Sequence, residues 1–295
     1  MTGTRRVGVV GTGQMGAGIA QVAAVAGHAV TARDVDQAAL ERAKAGIGKS
    51  LAKFVEKGQL TAAARDEALG RIAFTTDLAA VAGADLVIEA IVEDLAAKTA
   101  LWRELDGLAP AATIFASNTS SLSITTMGAA TRRPDRVVGL HFFNPVPLMH
   151  LVEVIRGVAT SQATFDAALG FARSLGKETV AARDTAGFVV NRLLVPYLLD
   201  AVRALEQGAG STAEIDAAMK LGCGHPMGPL TLLDFVGLDT ALRIGEILFD
   251  EFREPRMAPP PLLRRMVAAG LVGRKGGRGF YDWSVAPPVA VELGL

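Results

Sequence analysis

The sequence predicts an α/β domain built on a mostly parallel sheet, followed by an all-helical C-terminal domain. Three observations carry this prediction. An apolar run, Arg6 to Val10, passes into a glycine-rich turn, Gly11 to Gly16, and then into an alanine-rich helical stretch, Ala17 to Ala24. Short apolar runs then alternate with helical stretches to about residue 182, the pattern of a parallel sheet covered on both faces. Beyond Phe188 strand alternation gives way to helical periodicity. The expected boundary separates residues 1–185 from 186–295, and 295 residues suit about two domains of ~150.

The opening segment has the chemistry of a dinucleotide cradle. Gly11 permits a tight turn, Gly13 lets backbone approach a pyrophosphate, and Gly16 removes the side chain that would hold helix and strand apart. The exposed N–H groups and positive end of the helix then face phosphates. G-x-G-x-x-G alone is a weak signal, but here a strand precedes it and a helix follows. A second strand, His28 to Arg33, ends at Asp34, 23 positions beyond Gly11, near the separation expected for a carboxylate on an adenosine ribose. Asp34 favours NAD because it would repel a 2′-phosphate. Arg33 beside it could accommodate that phosphate, so NADP is demoted rather than excluded.

Composition narrows the remaining classes. Half the residues are apolar, as a filled core requires, and 30 Lys+Arg balance 30 Asp+Glu. Nothing points to nucleic acid or a polybasic membrane surface, and aromatic residues are few. The one cysteine, Cys223, cannot form an internal disulfide, and no Cys/His cluster offers a zinc site, so no metal is expected. No apolar run reaches the ~18 residues of a membrane span. A strand starting within about six residues of Met1 leaves no room for a targeting peptide. The expectation is a soluble protein of a reducing cytoplasm.

After Asp34 a long helical excursion, residues 36–69, breaks near Gly58. Its Lys49, Lys53 and Lys57 are spaced four apart and line one face, with Ser50 seven before Lys57 on the same side. They form either a solvated surface or a basic ledge for the phosphates of a large anionic substrate. Strands follow at Arg71–Phe74, Asp85–Ala90 and Thr113–Ala116, with helices at Asp77–Val81 and Leu95–Leu108. Glu93, Lys98, Asn118 and Ser120 all fall just after strand ends, where α/β sheets gather ligands. Each could individually be a cap or turn residue.

The segment Arg136 to Ile155 holds two apolar runs flanking a turn with Pro145 and Pro147. Antiparallel pairing across that turn brings His141 and Glu153 together. A histidine held by a carboxylate has a fixed tautomer and suits general base catalysis. His28, His150 and His225 are read as structural. A helix at Thr164–Leu175 and a strand at Thr179–Ala182 close this half. Phe188–Leu205 is apolar on nearly every side, as in a helix buried within a bundle or a subunit interface. Asn191 inside it either caps backbone groups or faces a cleft between domains. Further helices are expected at Thr212–Leu221, Pro229–Phe235, Asp239–Phe252 and Leu262–Ala269, and Gly270–Gly279 reads as a loop.

Several of these segments together resemble a known family. They are the nucleotide loop with Met15-Gly16 and Gly18-Ile19-Ala20-Gln21, then Glu89-Ala90-Ile91-Val92-Glu93 and Ser117-Asn118-Thr119-Ser120-Ser121. His141-Phe142-Phe143-Asn144-Pro145, Gly187-Phe188-Val189-Val190-Asn191-Arg192 and Pro226-Met227-Gly228-Pro229 complete the set. In this order they resemble the L-3-hydroxyacyl-CoA dehydrogenases, most nearly the short, single-function 3-hydroxybutyryl-CoA type. The resemblance covers nearly the whole chain. It implies a Rossmann-like domain and a helical domain through which such proteins dimerise.

It also implies roles. The family's catalytic histidine falls on His141 and its orienting glutamate on Glu153, with Ser120 and Asn191 as polar groups near the reacting carbon. Cofactor contacts fall on Asp34, Glu93, Lys98, Asn118, Ser120 and Asn144, beside loop residues Gly11, Gly13, Gln14, Met15 and Gly16. Coenzyme A contacts fall on Ser50 and Lys57, which favours the basic-ledge reading. The implied reaction interconverts a 3-hydroxyacyl-CoA and a 3-oxoacyl-CoA with NAD, the acyl end lying between the domains. Ala186 and Gly276 depart from the usual proline and threonine without touching the chemistry. Relatives acting on sugar acids, and a dinucleotide-binding protein without turnover, are the competing readings.

Overall fold

The computed structural model describes residues 5–294. It divides into two compact units, one ending at Phe188 and the other beginning at Val189. The first unit is an eight-stranded sheet in the order β3-β2-β1-β4-β5-β6-β7-β8. Its strands are β1 Arg6–Val10, β2 Ala29–Arg33, β3 Ile72–Thr75, β4 Leu86–Glu89, β5 Ile114–Ser117, β6 Val137–Phe142, β7 Leu151–Arg156 and β8 Glu178–Arg183. The first six run parallel, while β7 pairs antiparallel with β6 and β8 runs parallel to β7. Strands β4, β5 and β6 are buried along their whole length, as expected of central parallel strands covered by helices.

The helices that cover them, all but the first, start at a side-chain cap. They are α1 Gln14–Val25, α2 Gln37–Glu56, α3 Ala62–Gly70, α4 Leu78–Ala82, α5 Leu95–Leu108, α6 Ile124–Ala129 and α7 Gln162–Ser174. Asp36, Thr61, Asp77, Asp94, Ser123 and Ser161 each accept a backbone N–H at the start of α2 to α7 in turn. The anticipated break in the long excursion is real. Chain polarity turns at Gly58, whose φ of +68° lies in the left-handed region where a Cβ is strained.

Helix α6 is an element that periodicity missed. Its start is tied to distant sequence: Asp184 accepts from the Ser123 hydroxyl and from the Ile124 and Thr125 amides at 2.6–3.0 Å. Local pattern does not show a cap supplied from 60 positions away.

The second unit contains α8 Val190–Glu206, α9 Thr212–Cys223, α10 Pro229–Val236, α11 Leu238–Phe252 and α12 Pro261–Ala268. α9 opens with a capping box between Ser211 and Glu214. The unit also holds a two-stranded antiparallel ribbon, β9 Tyr281–Asp282 with β10 Val289–Ala290, which the helical reading did not foresee. Asp234 ties it to α10, accepting from the Phe280 and Tyr281 amides and the Trp283 indole N–H at 2.8–2.9 Å. Within the single chain the first of these helices is buried on one side only. α8 buries Val195, Leu198, Leu199, Val202 and Leu205, whereas Leu193 is 71% exposed. Among the described residues no helix is long and apolar enough to cross a membrane.

Candidate active site

The glycine loop leaves the carboxyl end of β1, where the chain's next strands fall on opposite sides, β2 on one and β4 on the other. Such a switch point is where α/β sheets open a crevice. Gly11 takes φ +92°, and a Cβ at Gly16 would fall 1.8 Å from the Gly11 carbonyl oxygen. Both glycines are therefore demanded by the chain itself. Gly13 is different, because a Cβ there would meet nothing within 4 Å and its φ is an ordinary −60°. The chain leaves that space clear, as a cradle for a pyrophosphate should. Gln14 and Met15 follow as the first residues of α1, whose start carries no side-chain cap.

Asp34 stands at the end of β2 and faces the loop. Its Oδ2 accepts from the Thr12 amide at 2.7 Å and the Thr12 hydroxyl at 3.0 Å. Burial would push this carboxyl up, but the Thr12 and neighbouring donors hold it below the usual carboxylate range. Arg33 turns away, its Nε donating to the Thr76 carbonyl at 3.3 Å.

On the other side of β1 a buried ionic network gathers four elements. Glu89, at the end of β4, is fully buried and accepts from Lys98 Nζ at 2.5 Å, the Ser117 hydroxyl at 2.6 Å and the Ile91 amide at 2.8 Å. Lys98, on α5, is 1% exposed and also lies 3.2 Å from Glu93 Oε2. Glu93 Oε1 then accepts from the Thr119 hydroxyl at 2.5 Å and the Ser120 amide at 2.9 Å. Burial raises the Glu93 carboxyl, but Lys98 and these donors outweigh it and keep it low. Asn118 is nearly buried, and its Oδ1 accepts the Phe142 amide at 2.9 Å, joining this loop to the end of β6. Lys98 is thus sealed between two carboxylates, and it fixes the Ser120 loop through Glu93. Glu89 was missed as a site residue, although a glutamate ending an apolar strand nine residues before a lysine was its signal.

The first unit also holds a buried histidine–carboxylate pair. Antiparallel register places His141 of β6 directly opposite Glu153 of β7. His141 Nδ1 donates to Glu153 Oε2 at 2.7 Å, and both side chains are buried. The carboxylate fixes the tautomer and leaves Nε2 as the basic nitrogen. Phe143 and Phe188 flank the imidazole with ring centroids 4.5 and 5.7 Å away.

Asn144 follows β6 on an exposed turn. Together with Pro145, Val146 and Pro147 it walls a groove of about 430 Å³ whose other sides are Gly13, Gln14 and one face of α2. Ser50 lines this groove, but Lys57 does not, being the exposed C-cap of α2. Lys49 and Lys53 are exposed on α2. Asn191 lies in the first turn of α8, half-buried, in the second unit.

A dinucleotide loop joined to a buried histidine–carboxylate pair is the architecture of a nicotinamide-linked oxidoreductase. Comparison with known proteins refines this class. Residues 6–185 match the NAD binding domain of 3-hydroxyacyl-CoA dehydrogenase, and residues 187–283 match the C-terminal domain of the same family. A 3-hydroxybutyryl-CoA dehydrogenase of Mycobacterium tuberculosis is 50% identical over 282 residues, covering 95% of this chain and 98% of that protein. The mitochondrial hydroxyacyl-coenzyme A dehydrogenase of Homo sapiens is 50% identical over 286 residues, covering 95% and 91%. The crystal structure of (S)-3-hydroxybutyryl-CoA dehydrogenase from Ralstonia eutropha superposes with a TM-score of 0.92 at 46% identity, covering 96% of this chain and 100% of that one. The chain belongs to the 3-hydroxyacyl-CoA dehydrogenase family and is an oxidoreductase of that type.

Proposed function

We propose that the protein oxidises short-chain (3S)-3-hydroxyacyl-CoA thioesters, 3-hydroxybutyryl-CoA foremost, with His141 as the proton acceptor. The observation that carries this reading is the 2.7 Å contact from His141 Nδ1 to Glu153 Oε2, which leaves Nε2 basic within the dinucleotide domain. The cofactor assignment is NAD rather than NADP. An ionised Asp34 repels a 2′-phosphate, and the Arg33 Nε is directed to the Thr76 carbonyl. Gly11, Gly13, Gln14, Met15, Gly16, Asp34, Glu93, Ser120 and Asn144 would hold the dinucleotide, with Lys98 and Asn118 fixing their loops. The bound nicotinamide supplies the hydride acceptor.

The chain's own residues do the rest. His141 Nε2 removes the substrate hydroxyl proton as C3 gives up its hydride, and Glu153 stabilises the imidazolium that forms. Ser120 and Asn191 hydrogen-bond the reacting oxygen or the thioester carbonyl, Asn191 on the strength of the family resemblance alone. In the reducing direction the protonated histidine returns its proton to the alkoxide oxygen. Ser50, in the wall of the groove, and Lys57, at the end of α2, take the coenzyme A moiety. The helical unit forms a homodimer, and exposed Leu193 and Leu221 are the apolar residues that would cover one another. A single exposed cysteine suits a reducing cytoplasm.

The test follows nicotinamide absorbance with acetoacetyl-CoA and longer 3-oxoacyl-CoA esters, using NADH and NADPH in parallel. Oxidation of NADH by acetoacetyl-CoA is expected, lowered ~10²–10⁴-fold in His141→Ala with NADH binding retained. Near-normal turnover in that variant would refute the assignment of the base.

A further inference from the structure

We propose that Lys177 is a positioning residue, whose ammonium holds the Asn144–Met149 turn against the glycine-loop helix so that Asn144 meets the cofactor. The proposal rests on the reading that Asn144 contacts the dinucleotide.

Lys177 sits between α7 and β8, far along the chain from the turn, and is 8% exposed. Its Nζ donates to the Val146 carbonyl at 2.8 Å and to the Met149 carbonyl at 2.7 Å. A buried ammonium is costly unless its donors are used, so this lysine belongs to the turn rather than to solvent. Burial also depresses its proton affinity below that of an ordinary lysine. Within the turn the Leu148 and Met149 amides both donate to the Pro145 carbonyl, at 2.9 and 3.0 Å.

The two faces of the turn differ. In front, Val146 presses on α1 so closely that a Cβ at Gly18 would fall 2.8 Å from its Cβ. Farther along α1 lies a second cavity of about 440 Å³, lined by Val22, Val25, Phe54, Pro147, Leu175 and Lys177. At Pro147 the turn therefore borders open space. The two charge-assisted hydrogen bonds from Lys177 supply what packing does not. Without them the turn has room to shift along α1 into that cavity, taking Asn144 away from Gly13 and Gln14 while leaving the His141–Glu153 register in the sheet intact.

The experiment compares wild type, Lys177→Met and Lys177→Arg by steady-state kinetics with acetoacetyl-CoA and NADH, by NADH fluorescence titration, and by melting temperature. Lys177→Met is expected to raise the KM and Kd for NADH about tenfold with kcat changed less than threefold, and Lys177→Arg to restore most of the affinity. If Lys177→Met aggregates, Lys177→Gln carries the same comparison. An unchanged Kd for NADH in a folded variant would overturn the proposal. So would a fall in kcat alone, in proportion to lost folded protein. Wild type that binds NADH but turns over no acyl-CoA would sink the functional reading instead, and the fluorescence titration would still decide the role of Lys177.

Discussion

Replacing Glu153 by Gln isolates the electrostatic part of the histidine pair. Glu153 is fully buried and paired in register with His141, so an isosteric amide keeps the volume of the site while removing one charge. The 2.7 Å Nδ1–Oε2 contact places the two charge centres at about 4 Å. At that separation and an effective dielectric of about 20, the attraction in the imidazolium state is roughly 4 kcal/mol. That interaction exists only once the proton has been taken, so it lowers the barrier rather than the ground state. Losing it should cost about 10³-fold in kcat, since each ~1.4 kcal/mol is tenfold. The assay is NAD reduction with saturating 3-hydroxybutyryl-CoA, the direction in which His141 takes up the proton, alongside fluorescence titration of NADH, whose Kd should not move. A Glu153→Gln enzyme within about tenfold of wild-type kcat would refute the argument that this carboxylate stabilises the charged imidazole.

Three other outcomes follow from the same structure. Gly16→Ala puts a methyl 1.8 Å from the Gly11 carbonyl oxygen, so it should cost several kcal/mol in denaturant unfolding or weaken NADH binding sharply; Gly13→Ala, with no such neighbour, should keep stability and lose only binding. His28 is buried, its Nδ1 accepting from the Arg5 amide and its Nε2 donating to Ser174, and burial holds its pKa below the ordinary value. The unfolded state then binds the extra proton first, so this stability is present above about pH 6.5 and drains away as pH falls below it; His28→Gln should flatten the melting temperature between pH 7.5 and 5. Lys57→Ala should raise KM for acetoacetyl-CoA severalfold with less effect on kcat, and the increase should shrink at high salt because the side chain is exposed; an unchanged KM would make the lysine row a solvated face.

Much of this protein could be read from local pattern. The strand–glycine turn–helix opening, the carboxylate ending β2, and the pairing of His141 with Glu153 each depend on a short stretch whose periodicity or turn chemistry leaves few alternatives. The last is the clearest, because two apolar runs across a proline-containing turn can pair in few registers, and a one-residue slip would expose buried faces. Tertiary structure decided what depends on neighbours far apart in sequence. Lys98 reads as a cofactor contact at the crevice, yet sheet order seals it between Glu89 and Glu93. Asn118 reads as a ligand contact and also holds the Phe142 amide. Asp184 caps a helix 60 positions earlier, and Lys177 grips a turn 31 positions away. Periodicity reports which face of an element is apolar. Which buried charge meets which donor is settled only when the strands take their places, because a desolvated polar group must find its partner in space rather than along the chain.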